Sequence, residues 1–441
     1  MRSIAIGLLG AGNVGCGVLA LLRDNRDAIA QRIGANVVVK RVLLRAPGSR
    51  RAFELPAEVK TTDPEDVLGD PDIRVVVEVM GGLEPARSYV LRALAEGKHV
   101  VSANKALLGT FGKELFAAAA RRGVSIHFEA SVAGGIPILR ALREGLASDR
   151  IQSLTGIVNG TCNFILDAMT RNGEGYEAAL AQAQAAGFAE ADPSMDVSGV
   201  DAAQKLALLA LVAFGLRVDP RAISTEGISR IEPIDVQSAA ALGCVIKSIA
   251  HAEIEPDRDA PARLRARVHP VLVPSRHVLA GVHGSYNAVL VHSAALGRSL
   301  YYGRGAGMMP TGTAVVSDLV EVCRGVVAFA DRMPPPEALP SIADVVPVST
   351  ADERHENYVR VTVPNVPGVL ARVAGCLGRH GVSIKRLNQD PKGPQLPTDM
   401  VFVTEAVADA ALRGALAEID ALPTTLAPAV RLRILPPEPL D

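Results

Sequence analysis

The segment GAGNVG at residues 10–15 limits the possible folds of this chain more than any other. It follows a short apolar run, SIAIGLL at 3–9, and leads into VGCGVLALLRDN, whose apolar spacing predicts a helix. A strand that turns on glycine into a helix is the context in which a GxGxxG pattern binds a dinucleotide. Gly10 permits the tight turn, Gly12 lets bare backbone approach a pyrophosphate, and Gly15 lets the helix lie against the strand. Asn13 and Val14 open that helix, so the phosphates would rest at its positive end beside them. A glycine turn with no ligand could carry the same letters; the order strand, turn, helix favours the ligand.

Four more apolar runs follow at 36–44, 73–80, 98–103 and 124–131, separated by helix-like stretches such as PARSYVLRALAEG. Strands alternating with helices predict a doubly wound, Rossmann-type parallel sheet over residues 1–134. From 135 the texture changes. Helices are expected at 137–147, 161–171, 176–187 and 200–215, and strands in SLTGIVNG, LRARVHPVLVP and NAVLVHSAAL. That mixture gives a second, α+β domain over 135–302. After the glycine run YYGRGAGMMPTG, a helix over 313–330 is expected to return to the first sheet, which assigns 303–331 to the nucleotide domain. A proline-rich stretch within 332–354 reads as a linker. Residues 355–436 then show strand, helix, strand, strand, helix, strand, a small ferredoxin-like βαββαβ module.

At 441 residues the chain is too long for one core, and its 49% hydrophobic content suffices for several. The formal net charge of −1, without long basic or acidic runs, gives no reason to expect nucleic acid or an anionic membrane as partner. A small molecule is expected instead. Five cysteines with no CxxC suggest neither a disulfide framework nor a zinc site. No secretory signal and no membrane span are legible, so a reducing cytoplasm is expected. The end of the second strand, LLRAPGSRR, offers Arg45, Arg50 and Arg51 where an acidic residue would grip a ribose hydroxyl. Arginines suit a 2′-phosphate, which points to NADP and leaves NAD open.

The segment GFAEADPSMDVSGVDAAQK at 187–205 crowds Glu190, Asp192, Asp196 and Asp201 before Lys205, and the next nine residues, 206–214, are all apolar. Asp201 and Lys205 stand four apart, a spacing that on an exposed helix contributes only about 0.3–0.5 kcal/mol. Ser198 and Asp201 could equally form a capping pattern. Neither account explains the upstream carboxylates, which repel one another unless a cation such as a substrate ammonium lies between them. Lys205, on a helix expected to be buried, is the candidate acid or base. Lys105, in VVSANKALL, lies at the carboxyl end of a parallel strand, where open α/β sheets bind ligands. A Glu129 carboxylate with turn carbonyls offers the hard oxygens of an alkali-ion site, and a glutamate that caps the next turn would read the same.

Residues 183–205, AQAAGFAEADPSMDVSGVDAAQK, resemble the signature of the homoserine dehydrogenases, and VVSANKALL, FEASVAGGIPIL and GIVNGTCNFIL resemble further segments of that family in order. The resemblance implies interconversion of L-homoserine and L-aspartate 4-semialdehyde with NAD(P), in threonine, methionine and isoleucine biosynthesis. It assigns substrate binding and dimerisation to the domain over 135–302, makes Lys205 the proton-transfer residue and sets Lys105 between nicotinamide and substrate. Glu190, Asp196 and Asp201 would hold the amino acid. Gly81, Gly303 and Gly305 would join the cofactor set. A monovalent cation such as sodium would sit on Glu129 and the carbonyls of Val132, Gly134 and Ile136. The tail, YVRVTVPNVPGVLARVAGCLGRHGVSIKRLNQ, resembles an ACT domain, with Asn365 where an acidic residue is frequent. It implies an amino acid effector and a homodimer or homotetramer. The alternative is a non-catalytic sensor of nucleotide and amino acid, against which stand Lys105 and Lys205, since a pure binder needs no proton-transfer group. A fused aspartate kinase is not expected, because the dinucleotide fold begins with the first residues.

Overall fold

The protein, described by a computed structural model, is defined over residues 2–46, 48, 51–255, 263–329, 343–389, 393 and 396–436. Strand β1 (Arg2–Leu9) runs into the glycine turn and then into α1 (Asn13–Asp24). There follow β2 (Ala35–Leu43), β3 (Lys60–Thr61), β4 (Ile73–Glu78), α2 (Ala86–Ala95), β5 (His99–Ser102), α3 (Lys105–Arg122) and β6 (Ile126–His127). These strands form a parallel sheet in the order β3-β2-β1-β4-β5-β6. Val75, Val76 and Val77 are wholly buried, as expected of strands covered on both faces, so the runs read as continuous rather than alternating. The order reverses between β1 and β4, and the crevice beyond their carboxyl ends is where such sheets bind ligands.

The last of these strands is shorter than its sequence suggested. The expected run 124–131 keeps β geometry only at β6; Glu129–Ser131 turn into a 3₁₀ helix, with the Ser131 N–H donating to the Phe128 carbonyl at 3.0 Å. The Glu129 N–H is drawn off the strand by Asp318, at 2.8 Å. Residues 137–147 likewise form one α turn, Ile138–Arg140, followed by a π turn, Ala141–Gly145, instead of a continuous helix.

The second layer is built from β7 (Ile151–Ile157), α4 (Gly160–Asn172), α5 (Tyr176–Ala185), α6 (Val200–Phe214), β8 (Ser224–Thr225), α7 (Pro233–Ala241), β9 (Cys244–Glu255), β10 (Arg263–Pro274), β11 (Tyr286–Ser293) and β12 (Gly297–Arg304). Neither β9 nor α7 was foreseen. The strand's run CVIKSIAHAEIE interleaves buried Lys247 and Ser248 with its apolar residues and so hides the pattern of a covered strand. The first third of the glycine run at 301–312 is also strand, the end of β12.

Helix α8 (Met308–Phe329) returns to the first sheet, where Val315, Leu319, Val322 and Cys323 share a core with Ile4, Ile6, Val75 and Val77. Its start lies on α1. A Cβ on Gly17 would run into the Met308 carbonyl oxygen, and one on Gly312 would lie 2.9 Å from the Gly17 carbonyl carbon.

The tail adds β13 (Asn357–Pro364), α9 (Val369–Arg379), β14 (Ile384–Gln389), β15 (Pro397–Thr404), α10 (Asp409–Asp420) and β16 (Val430–Ile434), the expected βαββαβ order. Its sheet does not stand apart. Strand β16 pairs in parallel with β10, so one sheet runs β12-β11-β7-β9-β10-β16-β13-β15-β14 across both domains. The stretch before the tail is also anchored: Ala343–Asp344 pair with Leu216–Arg217, the Val348 N–H donates to the Leu264 carbonyl at 2.8 Å, and Glu353 binds Arg267. No helix among the described residues is long and apolar enough to cross a membrane. All five cysteines are free and buried.

Gly17 supplies a test of this packing. An alanine inside a helix ordinarily gains about 0.5–1 kcal/mol over glycine. Here the backbone of α8 leaves no room, so Gly17→Ala is expected to lower the unfolding free energy in urea by about 1–3 kcal/mol. A stabilised variant would contradict the packing described.

Candidate active site

The loop after β5 is fixed from below before it presents a lysine. Glu78, wholly buried at the end of β4, accepts from Ser102 Oγ at 2.7 Å and from the Met80 N–H at 2.9 Å. Asn104 donates its amide to the Gly82 carbonyl at 2.8 Å, while its side-chain oxygen accepts the Leu107 N–H at 3.1 Å and caps α3. Lys105 is the first residue of that helix, so its ammonium leaves the nucleotide domain at the mouth of the crevice.

The other wall comes from α6. Lys205 Nζ donates to the Val158 carbonyl at 2.8 Å and pairs with Asp201 Oδ2 at 2.7 Å. The second oxygen of Asp201 meets Lys105 Nζ at 3.2 Å. One carboxylate therefore joins lysines from two domains. Asp201 is 6% exposed, so this is no surface i,i+4 pair. Burial alone would raise its pKa, but Lys205 and then Lys105, with hydrogen bonds from Lys205 and Asn159, outweigh that and bring it to about 2. Nor does Asp201 complete a cap with Ser198: α6 starts from Gly199, with no side-chain cap.

Asn159 is the member that sequence reasoning missed. It caps α4 through the Cys162 N–H at 2.8 Å and aims its amide at both Asp196 Oδ1, at 2.7 Å, and Asp201 Oδ2, at 2.8 Å. Thr161 adds a bond to Asp196 Oδ2 at 3.2 Å. The segment NGTCN was visible, but a cap that also orients two distant acids has no signature in spacing. Asp196 is half-buried in this cluster. Glu190 and Asp192 are exposed, and Asp192 caps the next turn through the Ser194 N–H at 3.1 Å. Of the crowded carboxylates, then, Asp201 meets both lysines, Asp196 joins it through the shared Asn159 amide, and Glu190 is exposed.

A cleft of about 740 Å³ lies at the switch point of the sheet, lined by Gly10, Gly12, Arg45, Arg51 and Gly81 among others. Gly10 has φ +99°, a Cβ on Gly15 would lie 2.6 Å from the Gly10 carbonyl, and one on Gly12 would meet nothing within 4 Å. Gly10 thus makes the turn, Gly15 the close packing, and Gly12 leaves its backbone open. Asn13 is exposed and Val14 half-buried at the start of α1. Arg50 lies outside the described residues. Gly303 and Gly305 stand at the end of β12, where a Cβ would press on Ile136 and on Asn287 respectively.

The Glu129 turn lies beside them. Both its carboxylate oxygens accept backbone N–H groups, from Leu139 and Arg140, each at 2.8 Å. Burial raises its pKa and those two bonds pull against the rise. Gly134 has φ +52° and packs on the Gly305 carbonyl; the Ile136 carbonyl accepts the Ile138 N–H at 2.8 Å, while the Val132 and Gly134 carbonyls have no backbone donor among the described residues. Nearby, His127, Asp318 and Glu321 cluster closely, but Arg140 already pairs with Glu321 and lies 3.6 Å from Asp318. Burial takes His127 down to about 3, which leaves its imidazole neutral, and raises Asp318 to about 7.

Comparison with known proteins agrees with this arrangement along the chain. A family model described as homoserine dehydrogenase matches residues 137–320, one described as its NAD binding domain matches 10–129, and an ACT domain model matches 357–424. The chain is 41% identical to a homoserine dehydrogenase of Pseudomonas aeruginosa over 442 residues, 98% of this chain and 99% of that one. It is 42% identical to one of Bacillus subtilis over 415 residues, 93% of each. A crystal structure of a homoserine dehydrogenase from Thiobacillus denitrificans superimposes with a TM-score of 0.89 at 41% identity, covering 99% of both chains.

The lowered pKa of Asp201 carries a sign that can be checked. Because its folded value of about 2 lies below the unfolded 3.8, its contribution to stability is complete above about pH 4 and is lost as pH falls toward 2. The stability difference between wild type and Asp201→Asn, from urea titrations, is expected to stay level from pH 7 to about 4 and shrink below that. A difference that began to shrink above about pH 5 would mean that the lysines do not hold the charge.

Proposed function

The chain belongs to the homoserine dehydrogenase family, an oxidoreductase acting on a CH–OH group with a nicotinamide cofactor and carrying an ACT domain, and we propose that the Lys105–Asp201–Lys205 bridge is its proton-transfer and substrate-orienting centre. The reaction interconverts L-homoserine and L-aspartate 4-semialdehyde. When bound, the nicotinamide supplies or takes the hydride at the carbinol carbon. Lys205, oriented by Val158 and Asp201, gives or takes the proton on the carbinol oxygen. Lys105, partly exposed at the crevice, sets positive charge where that oxygen gains negative charge. Asp196 and Asp201, with Glu190 at the rim, receive the substrate ammonium. The observation that carries this reading is the shared carboxylate, since it holds two ammonium groups from different domains in one place without substrate.

The cofactor reading is NADP, with NAD as the lesser alternative, supported by Arg45 and Arg51 on the wall of the cleft that holds Gly10, Gly12 and Gly81. Asn13, Val14 and Gly15 would complete the phosphate turn, and Gly303 and Gly305, beside the Glu129 turn, would join the cofactor set. A sodium-like monovalent cation on Glu129, Val132, Gly134 and Ile136 is supported by a carboxylate fixed through two N–H bonds beside the Val132 and Gly134 carbonyls, which have no backbone donor among the described residues; Ile136 would offer the second lone pair of a carbonyl that already accepts the Ile138 N–H. The cation would stiffen the turn between the domains.

A homodimer or homotetramer is supported by the edge of the sheet at β12, where Leu296, Leu300 and Tyr302 are 60%, 42% and 53% exposed. Exposed Val366, Leu370, Ile384 and Leu387 support pairing of the tail and an amino acid effector there. Five free thiols suit the cytoplasm.

Initial rates with NADPH and L-aspartate 4-semialdehyde test the proposal. Lys205→Ala is expected to lower kcat about 10²–10⁴-fold with the Michaelis constant for substrate little changed; unaltered turnover would remove Lys205 from the chemistry. Joint replacement of Arg45 and Arg51 by alanine is expected to weaken NADPH about tenfold more than NADH. An equal loss for both would sink the phosphate assignment.

A further inference from the structure

The loop after β8 touches the backbone that presents the two converging carboxylates. Its Glu226 N–H donates to the Val268 carbonyl at 2.8 Å, and its Ile228 N–H donates to the Val197 carbonyl at 2.9 Å. A Cβ on Gly227 would lie 2.7 Å from that same Val197 oxygen. From the other side Gly199, at φ +89°, backs onto Val268, Thr225 and the Glu226 carbonyl, which a Cβ there would meet at 3.2, 3.6 and 3.7 Å. Val197 and Gly199 both lie between Asp196 and Asp201 in the chain. The turn that sets those acids therefore leans on residues 225–228.

Those residues are held in turn by the tail. Glu226 Oε1 accepts from Arg431 at 2.8 Å and from Arg433 at 3.0 Å, both on β16. The same guanidinium groups give their other nitrogens to Asp409 Oδ1 on α10, at 2.6 and 2.8 Å. The two arginine side chains are 9% and 8% exposed and Asp409 is 3% exposed, so two buried cations meet two carboxylates, one of them Glu226. Arg413 approaches Asp409 from the solvent side at 3.1 Å. His269, on β10 nearby, brings no compensating charge, because burial and then Arg433, Arg267 and Arg431 keep it neutral. Removing one partner of such a cluster leaves buried charge without its counterion.

We infer that Glu226 is a positioning residue for the substrate-holding turn at Asp196–Asp201, and that the last strand of the ACT domain is through it a structural part of the active site. This rests on the proposed substrate role of those acids. Without the Glu226 carboxylate both arginines share Asp409 alone, the 225–228 loop keeps its backbone bond to Val268 but loses its side-chain anchor, and the donor to the Val197 carbonyl is less firmly held. The Lys205–Asp201 pair is held separately by Val158 and Asn159, so the chemical step keeps its geometry while the grip on the amino acid loosens.

The test is steady-state oxidation of L-homoserine by the full-length chain and its variants. Glu226→Gln is expected to raise the Michaelis constant for homoserine about 2- to 30-fold, the span of such couplings, with kcat and the constant for the cofactor held within about twofold. Glu226→Asp should recover part of the loss. A Michaelis constant equal to wild type, or a fall in kcat alone, would mean that Glu226 serves only stability and would overturn the inference. If Glu226→Gln does not fold, the Arg431→Lys, Arg433→Lys double variant decides it: a smaller rise in the same constant supports the inference and no rise overturns it. Failure of the wild-type chain to oxidise homoserine would instead strike the functional reading itself.

Discussion

A single buried carboxylate, Asp201, organises this molecule. It lies where the nucleotide domain and the substrate domain meet and binds an ammonium group from each, Lys105 and Lys205. Two cations brought this close would repel in a site largely shut off from water, and a lone acid there would be driven to bind a proton. Together they settle one another. The bridge leaves Lys205 anchored on a carbonyl and Lys105 partly open, which is the asymmetry a centre for proton transfer and charge stabilisation needs.

Everything around the bridge keeps its geometry. Glu78 and Asn104 tie down the start of α3, so Lys105 emerges at a fixed angle. Asn159 ties the start of α4 to Asp196 and Asp201. The sheet that supports the second wall extends into the tail through β10 and β16, and buried arginines on β16 reach back to Glu226 beneath the acidic turn. A domain that can be read as an appendage is thus joined to the catalytic layer by hydrogen bonds and by charge. Strain or ordering in the tail has a short physical route to the turn that carries Asp196 and Asp201.

Much of this was legible in the residues themselves. The GxGxxG turn, the buried valine strands and the βαββαβ tail follow from local rules, because glycine conformation and hydrophobic period act over a few positions. The acidic signature before Lys205 also pointed to the cluster in which Asp196 and Asp201 share Asn159. Burial did not follow from it: Glu190 read as the equal of Asp196 and Asp201, yet it faces solvent, since which carboxylate is enclosed depends on helices that arrive from elsewhere. Strand β9 was hidden by its polar members Lys247, Ser248 and His251, each of which finds room only inside the finished sheet. Glu129 sits on a 3₁₀ turn rather than a strand because Asp318, far along the chain, holds its N–H. The pairing of β16 with β10 joins segments more than 150 positions apart and leaves no local trace.

The most direct test of the central bridge is a crystal structure of the chain with NADPH and L-homoserine bound. The account predicts the substrate hydroxyl within about 3 Å of Lys205 Nζ, with Asp201 still between the two lysines and the substrate ammonium on Asp196. A substrate bound away from Lys205, with the Lys105–Asp201–Lys205 bridge undisturbed and remote from the nicotinamide, would contradict it.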